Sequence, residues 1–171
     1  MGLRKNLYLK ERKMNKLIEL PELKKIREQA YNDEKKIVFT NGCFDLIHAG
    51  HVTYLEEAKE LGDILVLGLN SDYSVKKIKG EKRPILLEKD RIKVLSALES
   101  INYIIIFDSS TPYNLIKEIK PDILVKGGDW KIEDIVGYDL VIKNNGIVRS
   151  LSLVKGVSTT DIIEKIRRNY C

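Results

Sequence analysis

Apolar residues along this chain fall into short unbroken runs separated by stretches with helical spacing. Ile37-Val38-Phe39, Ile64 to Leu69, Tyr103 to Phe107 and Ile123-Leu124-Val125 are such runs. A run that is apolar at successive positions marks a strand covered on both faces, as in a parallel sheet. The first, second and fourth end in Thr40-Asn41-Gly42, Asn70-Ser71-Asp72 and Lys126-Gly127-Gly128-Asp129, polar and turn-forming segments. Between the runs the period changes. Val52, Leu55, Ala58 and Leu61 share one face of a helix over 50–61, with Gly62 at its C′ position. Ile92, Leu95 and Leu98 do the same from Glu88 onward. Thr111-Pro112 opens a helix that runs through Lys120 and stops at Pro121. Near the N-terminus, Leu20-Pro21-Glu22-Leu23 starts a helix with Leu23, Ile26 and Ala30 at helical spacing, stopped by Asn32-Asp33. Ser158 caps a last helix that reaches about Asn169. Tyr138 to Lys143, and Ile147 to Leu153 after Asn144-Asn145-Gly146, read as two further strands, and 73–86 as a basic loop or short helix.

Strand and helix alternate, which predicts an α/β fold: a three-layer Rossmann-like sandwich on a mainly parallel five-stranded sheet. In such sheets a ligand binds beyond the carboxyl ends of the strands, where the strand order reverses. The polar segments above fall at those ends.

Composition narrows the partners. The chain has 171 residues, 43% of them hydrophobic and 32% charged, enough to bury one core without the signature of disorder. No apolar run is long enough to span a bilayer, and the basic N-terminus lacks an apolar signal segment, so a cytoplasmic protein with no membrane partner is expected. The net charge of +5 invites a nucleic-acid reading, but its location argues against one. Residues 1–36 hold 11 Lys/Arg and 6 Asp/Glu, a net of +5, and residues 37–171 hold 19 of each. The chain therefore divides into a basic extension, 1–35, with one adapter helix, and a neutral domain, 36–171. Two cysteines, Cys43 and Cys171, make no disulfide framework. The two histidines, His48 and His51, fall within four residues.

These histidines belong to Thr40-Asn41-Gly42-Cys43-Phe44-Asp45-Leu46-Ile47-His48-Ala49-Gly50-His51, which joins the first strand to the first helix. Three residues apart, they can serve one site from one helical turn. Gly50 leaves the backbone open to a ligand, and a helix start offers free N–H groups and a positive dipole to a phosphate. Taken alone, the pair is equally compatible with surface histidines beside a turn or with two metal ligands. A basic segment follows the second strand: Lys76, Lys77, Lys79, Lys82, Arg83, then Arg91. Lys126, Gly128 and Asp129 follow the fourth strand, and Ser158-Thr159-Thr160 opens the last helix, where cap and anion site are the same groups. Neither G-x-G-x-x-G nor a P-loop is present, which removes the main support for a dehydrogenase or P-loop enzyme.

Gly42-x-Phe44-Asp45 followed by His48-x-Gly50-His51 after a strand resembles the HxGH nucleotidylyltransferase superfamily, the cytidylyltransferase-like enzymes. With Asn70-Ser71-Asp72, Lys79-Gly80, Arg83-Pro84, the Lys126 to Asp129 segment and Ser158-Thr159-Thr160, the order looks closest to the heptose 1-phosphate adenylyltransferases, over about residues 22–168. In many Gram-negative bacteria that activity is half of a bifunctional kinase and transferase, and a stand-alone form is expected here. The resemblance implies nucleotidyl transfer from ATP to D-glycero-β-D-manno-heptose 1-phosphate, giving ADP-heptose and pyrophosphate for glycan precursors such as those of the lipopolysaccharide core. It implies His48, His51, Lys79 and Arg91 as catalytic groups at the phosphates. Thr40, Asn41, Gly42, Phe44, Asp45, Gly50, Lys126, Gly128, Asp129, Ser158, Thr159 and Thr160 would bind nucleotide, and Lys77 and Arg83 the substrate phosphate. Mg²⁺ would arrive with ATP, held by phosphate oxygens and water rather than by protein ligands. Asp45 is expected to orient its loop, and Cys43 to be structural. Relatives suggest a homo-oligomer, a dimer. Two alternatives stand beside this. One is a cytidylyltransferase for a phosphorylated alcohol such as glycerol 3-phosphate, disfavoured because Leu151 to Lys155 lacks the arginine those enzymes carry. The other is a non-enzymatic binder of polyanions.

Overall fold

The structure is a computed structural model that describes residues 16–152, 154 and 156–170. Residues 1–15 of the expected basic extension lie outside the described residues. Five strands, β1 (Ile37–Gly42), β2 (Ile64–Asn70), β3 (Tyr103–Phe107), β4 (Ile123–Gly127) and β5 (Ile147–Leu151), form one sheet in the order β3-β2-β1-β4-β5. Every pairing is parallel, with Phe39 opposite Val66 on one side of β1 and Val38 opposite Ile123 on the other. The order reverses between β1 and β4.

Among the described residues, seven α-helices accompany the sheet: α1 (Leu20–Asn32), α2 (Ala49–Glu60), α3 (Asp72–Lys79), α4 (Glu88–Ala97), α5 (Tyr113–Ile119), α6 (Tyr138–Lys143) and α7 (Thr159–Tyr170). The two-residue alternation of the strands splits the core into two layers. Ile37, Phe39, Val66, Ile105 and Leu124 point to one face, against Leu23 and Ala30 of α1, Ile116 and Ile119 of α5 and Val141 of α6. Val38, Leu65, Leu67, Leu69 and Val125 point to the other, against Tyr54, Leu55 and Ala58 of α2 and Leu95 of α4. Gly68 breaks the apolar run of β2 because a Cβ there would lie 2.8 Å from Cζ of Phe39.

The adapter helix packs as expected and reaches deeper than the sheet edge. Ile18, Leu23 and Ala30 are core residues, and the segment before α1 hydrogen-bonds to β3 through Ile18 N–H to Ile104 O, 2.9 Å, and Ile104 N–H to Lys16 O, 2.8 Å. Gly62 does follow the C-cap of α2, at Leu61. The reason for glycine there is close packing: a Cβ would meet Val38 Cγ2 at 2.8 Å and Lys36 O at 3.0 Å.

One expectation is corrected and one alternative is decided. Tyr138–Lys143 is helix α6 rather than a strand, so the five strands are those above. Its β-branched and aromatic residues fit either state over six positions. Gly137 at φ +93° provides the turn into α6, and Val141 is buried in the core with Tyr138 and Leu140 packed against it. The basic segment after β2 is a helix through Lys79, because Ser71 caps it by accepting the Ser74 N–H at 3.1 Å.

Candidate functional site

A cleft of about 570 Å³ opens at the carboxyl ends of β1, β2 and β4, where the strand order reverses. Its floor is the loop from β1 into α2. Phe44 sits there at φ +44°, a left-handed conformation that costs a non-glycine residue energy and recurs at functional sites. The twist folds its ring back over Gly42, where a Cβ would lie 2.7 Å from Phe44 Cε2. That contact is the physical reason for glycine two positions before the phenylalanine. The other side of the ring meets His51, with centroids 5.1 Å apart.

His48 is the N-cap residue of α2 and His51 lies in its first turn. Their rings stack with centroids 3.8 Å apart and planes 25° from parallel. Burial, and then the neighbouring His48, pushes His51 down to about 4 from an ordinary 6.5. Burial also lowers His48. Two cations could not share this stack, so both imidazoles are neutral at pH 7. The Nδ1 atoms of both are buried and have no hydrogen-bond partner. An orphaned polar atom is costly unless a ligand completes it. Gly50, expected to admit a ligand to the backbone, is buried instead: a Cβ would meet the His48 ring at 3.2 Å and Val154 Cβ at 3.5 Å. The space it leaves is taken by the protein's own imidazole.

Cations enter from two sides. Lys79, the last residue of α3, and Lys126, near the end of β4, both line the cleft. Lys126 reaches Asn41 Oδ1 at 3.4 Å, a long contact for an ammonium. Burial lowers its pKa, opposed by the Cys43 thiol and reinforced by Lys79. Cys43 lies between these cations, yet burial dominates and raises its pKa, so it is a neutral thiol and no activated nucleophile. Lys77 is exposed on α3 and lies outside the cleft lining.

Asp45 and Arg83 both line the cleft and are spent on each other. Asp45 is 2% exposed. It accepts from Arg83 Nε at 2.6 Å, from Ile85 N–H at 2.8 Å and from Leu86 N–H at 2.9 Å. Burial alone would raise its pKa, but those two amides and the guanidinium outweigh it and hold the carboxyl below the ordinary range. Asp45 thus anchors the loop that follows α3.

Two expected contacts lie beneath the cleft rather than in it. Thr40 is fully buried and its hydroxyl pairs with Tyr54 Oη at 2.5 Å. Arg91 is fully buried too, donating from Nη1 to the carbonyls of Cys43 at 2.6 Å and Asn70 at 2.8 Å, and from Nη2 to Asp72 Oδ1 at 2.8 Å. A guanidinium enclosed this way is not available to a phosphate.

On the far wall, Gly128 takes φ +117°, as its expected turn role requires, and its N–H bonds Leu151 O at 2.9 Å. Asp129 is exposed and is not among the residues that line the cleft, whereas Trp130 is. The indole donates to Gly127 O at 3.1 Å and leaves half its surface open. At the start of α7, Ser158 caps the helix by accepting the Asp161 N–H at 3.1 Å, and its hydroxyl is held by Asp161 Oδ2. Thr159 and Thr160 face the cleft, with Thr159 Oγ1 near Leu46 O at 3.4 Å.

The cleft thus gathers Asn41, Gly42, Phe44, Asp45, His51, Lys79, Arg83, Lys126, Thr159 and Thr160, with His48 stacked behind His51. Lining residues outside the expected site set are Cys43, Asn70, Ile78, Ser110 to Pro112, Gly127, Trp130 and Asp134 to Val136. The one available signal was Trp130, the chain's single tryptophan, directly after the glycine-rich turn. Among the described residues, no group of three or more His, Cys, Asp or Glu side chains is placed to hold a metal ion.

Residues 39–165 match the family model described as cytidylyltransferase-like. The chain belongs to the cytidylyltransferase-like family. Within that family it is 57% identical over 136 residues to the bifunctional protein HldE of Geobacter metallireducens, which covers 80% of this chain and 28% of the relative. It is 54% identical over 153 residues to the HldE of Campylobacter concisus, covering 90% of this chain and 31% of that one. This cytidylyltransferase-like chain therefore spans less than a third of the length of the curated relatives it matches. A solved lipopolysaccharide core biosynthesis protein from Thermoplasma volcanium superposes with a TM-score of 0.58 at 30% identity, over 72% of this chain and 99% of that one. A pantoate-β-alanine ligase from Francisella tularensis, at 14% identity and a TM-score of 0.57, covers 88% of this chain and 76% of its own and shares the fold. No helix among the described residues is long and apolar enough to cross a membrane.

Proposed function

We propose that this protein transfers the adenylyl group of MgATP to a sugar 1-phosphate, D-glycero-β-D-manno-heptose 1-phosphate, releasing pyrophosphate and giving ADP-heptose. The observation that carries the reading is the pair of neutral, stacked imidazoles with unpartnered Nδ1 atoms at the start of α2, bordering a cleft with two lysines. Neutral imidazoles donate hydrogen bonds without competing for a proton, which suits charge that develops on phosphoryl oxygens. The sugar phosphate is already ionised, so its oxygen attacks the α-phosphorus in line with no general base. No covalent enzyme intermediate is required, in keeping with the neutral Cys43 thiol.

Catalysis then rests on positioning and on fixed donors. His48 and His51 hold the α- and β-phosphate oxygens as the bond to pyrophosphate breaks. Lys79 and Lys126 neutralise the charge of the two phosphates, and Thr159 and Thr160 with the start of α7 take the outer phosphates. Mg²⁺ belongs to the ATP substrate. HldE relatives above 50% identity support the heptose branch, and the resemblance of the Lys126 to Asp129 segment supports it further.

The test is pyrophosphate release over a grid of ATP and CTP against heptose 1-phosphate, glycerol 3-phosphate and other phosphorylated alcohols. Turnover confined to ATP with heptose 1-phosphate is expected. Turnover with CTP and glycerol 3-phosphate would replace the reading with cytidylyl transfer. Silence across the grid together with salt-dependent RNA binding would replace it with polyanion binding.

A further inference from the structure

We propose that Arg91 is a positioning residue that sets the catalytic histidines from below by clamping the carbonyl of Cys43. The inference rests on the nucleotidyl-transfer reading of the site. Arg91 lies in the first turn of α4, and its guanidinium reaches three elements at once: the loop after β1 through Cys43 O, the end of β2 through Asn70 O, and the start of α3 through Asp72. β1 and β2 are adjacent strands whose ends form the cleft floor. Asp72 accepts also from the Glu88 N–H at 3.1 Å, so the clamp ties the start of α3 to the start of α4.

The Cys43 carbonyl immediately precedes Phe44, the residue held at φ +44°. A left-handed phenylalanine persists where its surroundings over-determine it. Arg91 fixes one side of that peptide, and Gly42 receives the ring on the other. The ring then bounds His51, which stacks on His48. Arg91 therefore acts on the imidazoles through one carbonyl and one aromatic ring. It touches no substrate, and its burial leaves no approach for a phosphate.

Lysine cannot replace it. An ammonium is a point donor on a flexible stem, whereas the planar fork of arginine spans acceptors in fixed directions. In Arg91→Lys, Phe44 is freed from its left-handed setting and water gains access to His51. The other titratable groups on the cleft that His51 lines are Cys43 and Asp45 from its own loop, Lys79 and Arg83 from the α3 side, Lys126 from β4 and Asp134. Arg91 hydrogen-bonds none of these side chains and the substitution keeps its charge, so a change in His51 reports its hydration and its stacking on His48.

The experiment follows the Cε1–H resonances of the chain's two histidines against pH in wild type, Arg91→Lys and Asp72→Asn, beside kcat and KM for MgATP and heptose 1-phosphate. In Arg91→Lys the low histidine midpoint is expected to rise by a full unit or more from about 4 toward 6.5. In the same variant kcat falls about tenfold or more while both KM values stay within about threefold. Asp72→Asn weakens the clamp from its exposed side and gives the same signature at smaller size, which keeps the test open should Arg91→Lys not fold. Unmoved histidine midpoints in a folded variant overturn the proposal. So does a KM that rises tenfold at constant kcat, the mark of a phosphate contact. If wild type releases no pyrophosphate with any substrate pair, the functional reading falls, and the midpoints still decide the clamp.

Discussion

Replacing His51 by alanine isolates the group on which the proposed chemistry depends most. Its imidazole is neutral at pH 7, because burial and His48 depress its pKa to about 4. Its Nδ1 is orphaned, and its ring is held between His48 and Phe44. A preorganised donor of this kind stabilises a developing oxyanion by about 2.7–4 kcal/mol, or about 10²- to 10³-fold in kcat. His51→Ala also removes the surface on which His48 stacks at 3.8 Å, so His48 loses its orientation and the expected loss lies in the upper half of that range. KM for MgATP should change less than about threefold, since the interaction forms chiefly in the transition state. The assay is a continuous pyrophosphate-release measurement on protein whose circular dichroism matches wild type. A variant within tenfold of wild-type kcat would refute the assignment. A thermodynamic corollary comes with it. The folded pKa of about 4 lies below the ordinary 6.5, so between those values the unfolded chain binds more protons. Wild type therefore loses stability as the pH falls from 6.5 toward 4, and His51→Ala should lack that component in urea unfolding at pH 7 and pH 5.

Two further substitutions separate the site from the scaffold. Lys126→Met removes a partly buried ammonium whose hydrogen bond to Asn41 is 3.4 Å long, and should lower kcat/KM about 10- to 100-fold in the pyrophosphate assay with little change in Tm. With its pKa depressed by burial, Lys126 should place the alkaline limb of the pH profile below the ordinary lysine range, and Lys126→Arg should move that limb upward. Gly62→Ala drives a methyl to 2.8 Å from Val38 Cγ2 and 3.0 Å from the Lys36 carbonyl at the amino end of β1, far from the cleft. It should destabilise by about 1–3 kcal/mol and lower Tm by several degrees in calorimetry, while activity per folded molecule stays the same.

What could be read from the chain was what local chemistry controls. Unbroken apolar runs placed β1 to β4, helical spacing placed α2 and α4, and a serine cap placed α7, because strand burial, helix periodicity and capping each act over a few residues. The same holds for the Gly42 to His51 segment, which carries both turn and helix start within ten positions. Where short-range signals conflict, packing decides: Tyr138–Lys143 suits a strand by composition, yet Gly137 and the burial of Val141 make it a helix. The cleft was legible in part for a related reason. Its cations and histidines follow strand ends, and the topology of a parallel sheet brings strand ends together. Arg91 and Lys79 both looked like phosphate ligands from sequence, since a charge on a helix carries no mark of the direction it faces. Only the folded loops around Cys43, Asn70 and Asp72 enclose the first and leave the second in the cleft. Ser110 joined the site from the β3–α5 loop, and Trp130 and Asp134 from the β4–α6 connection, a placement set by long-range packing. The sequence by itself determined most of the strand and helix order and the presence of the Gly42 to His51 motif, because those are encoded in neighbouring residues. The tertiary structure decided which charges line the cleft, because burial depends on residues distant in the chain.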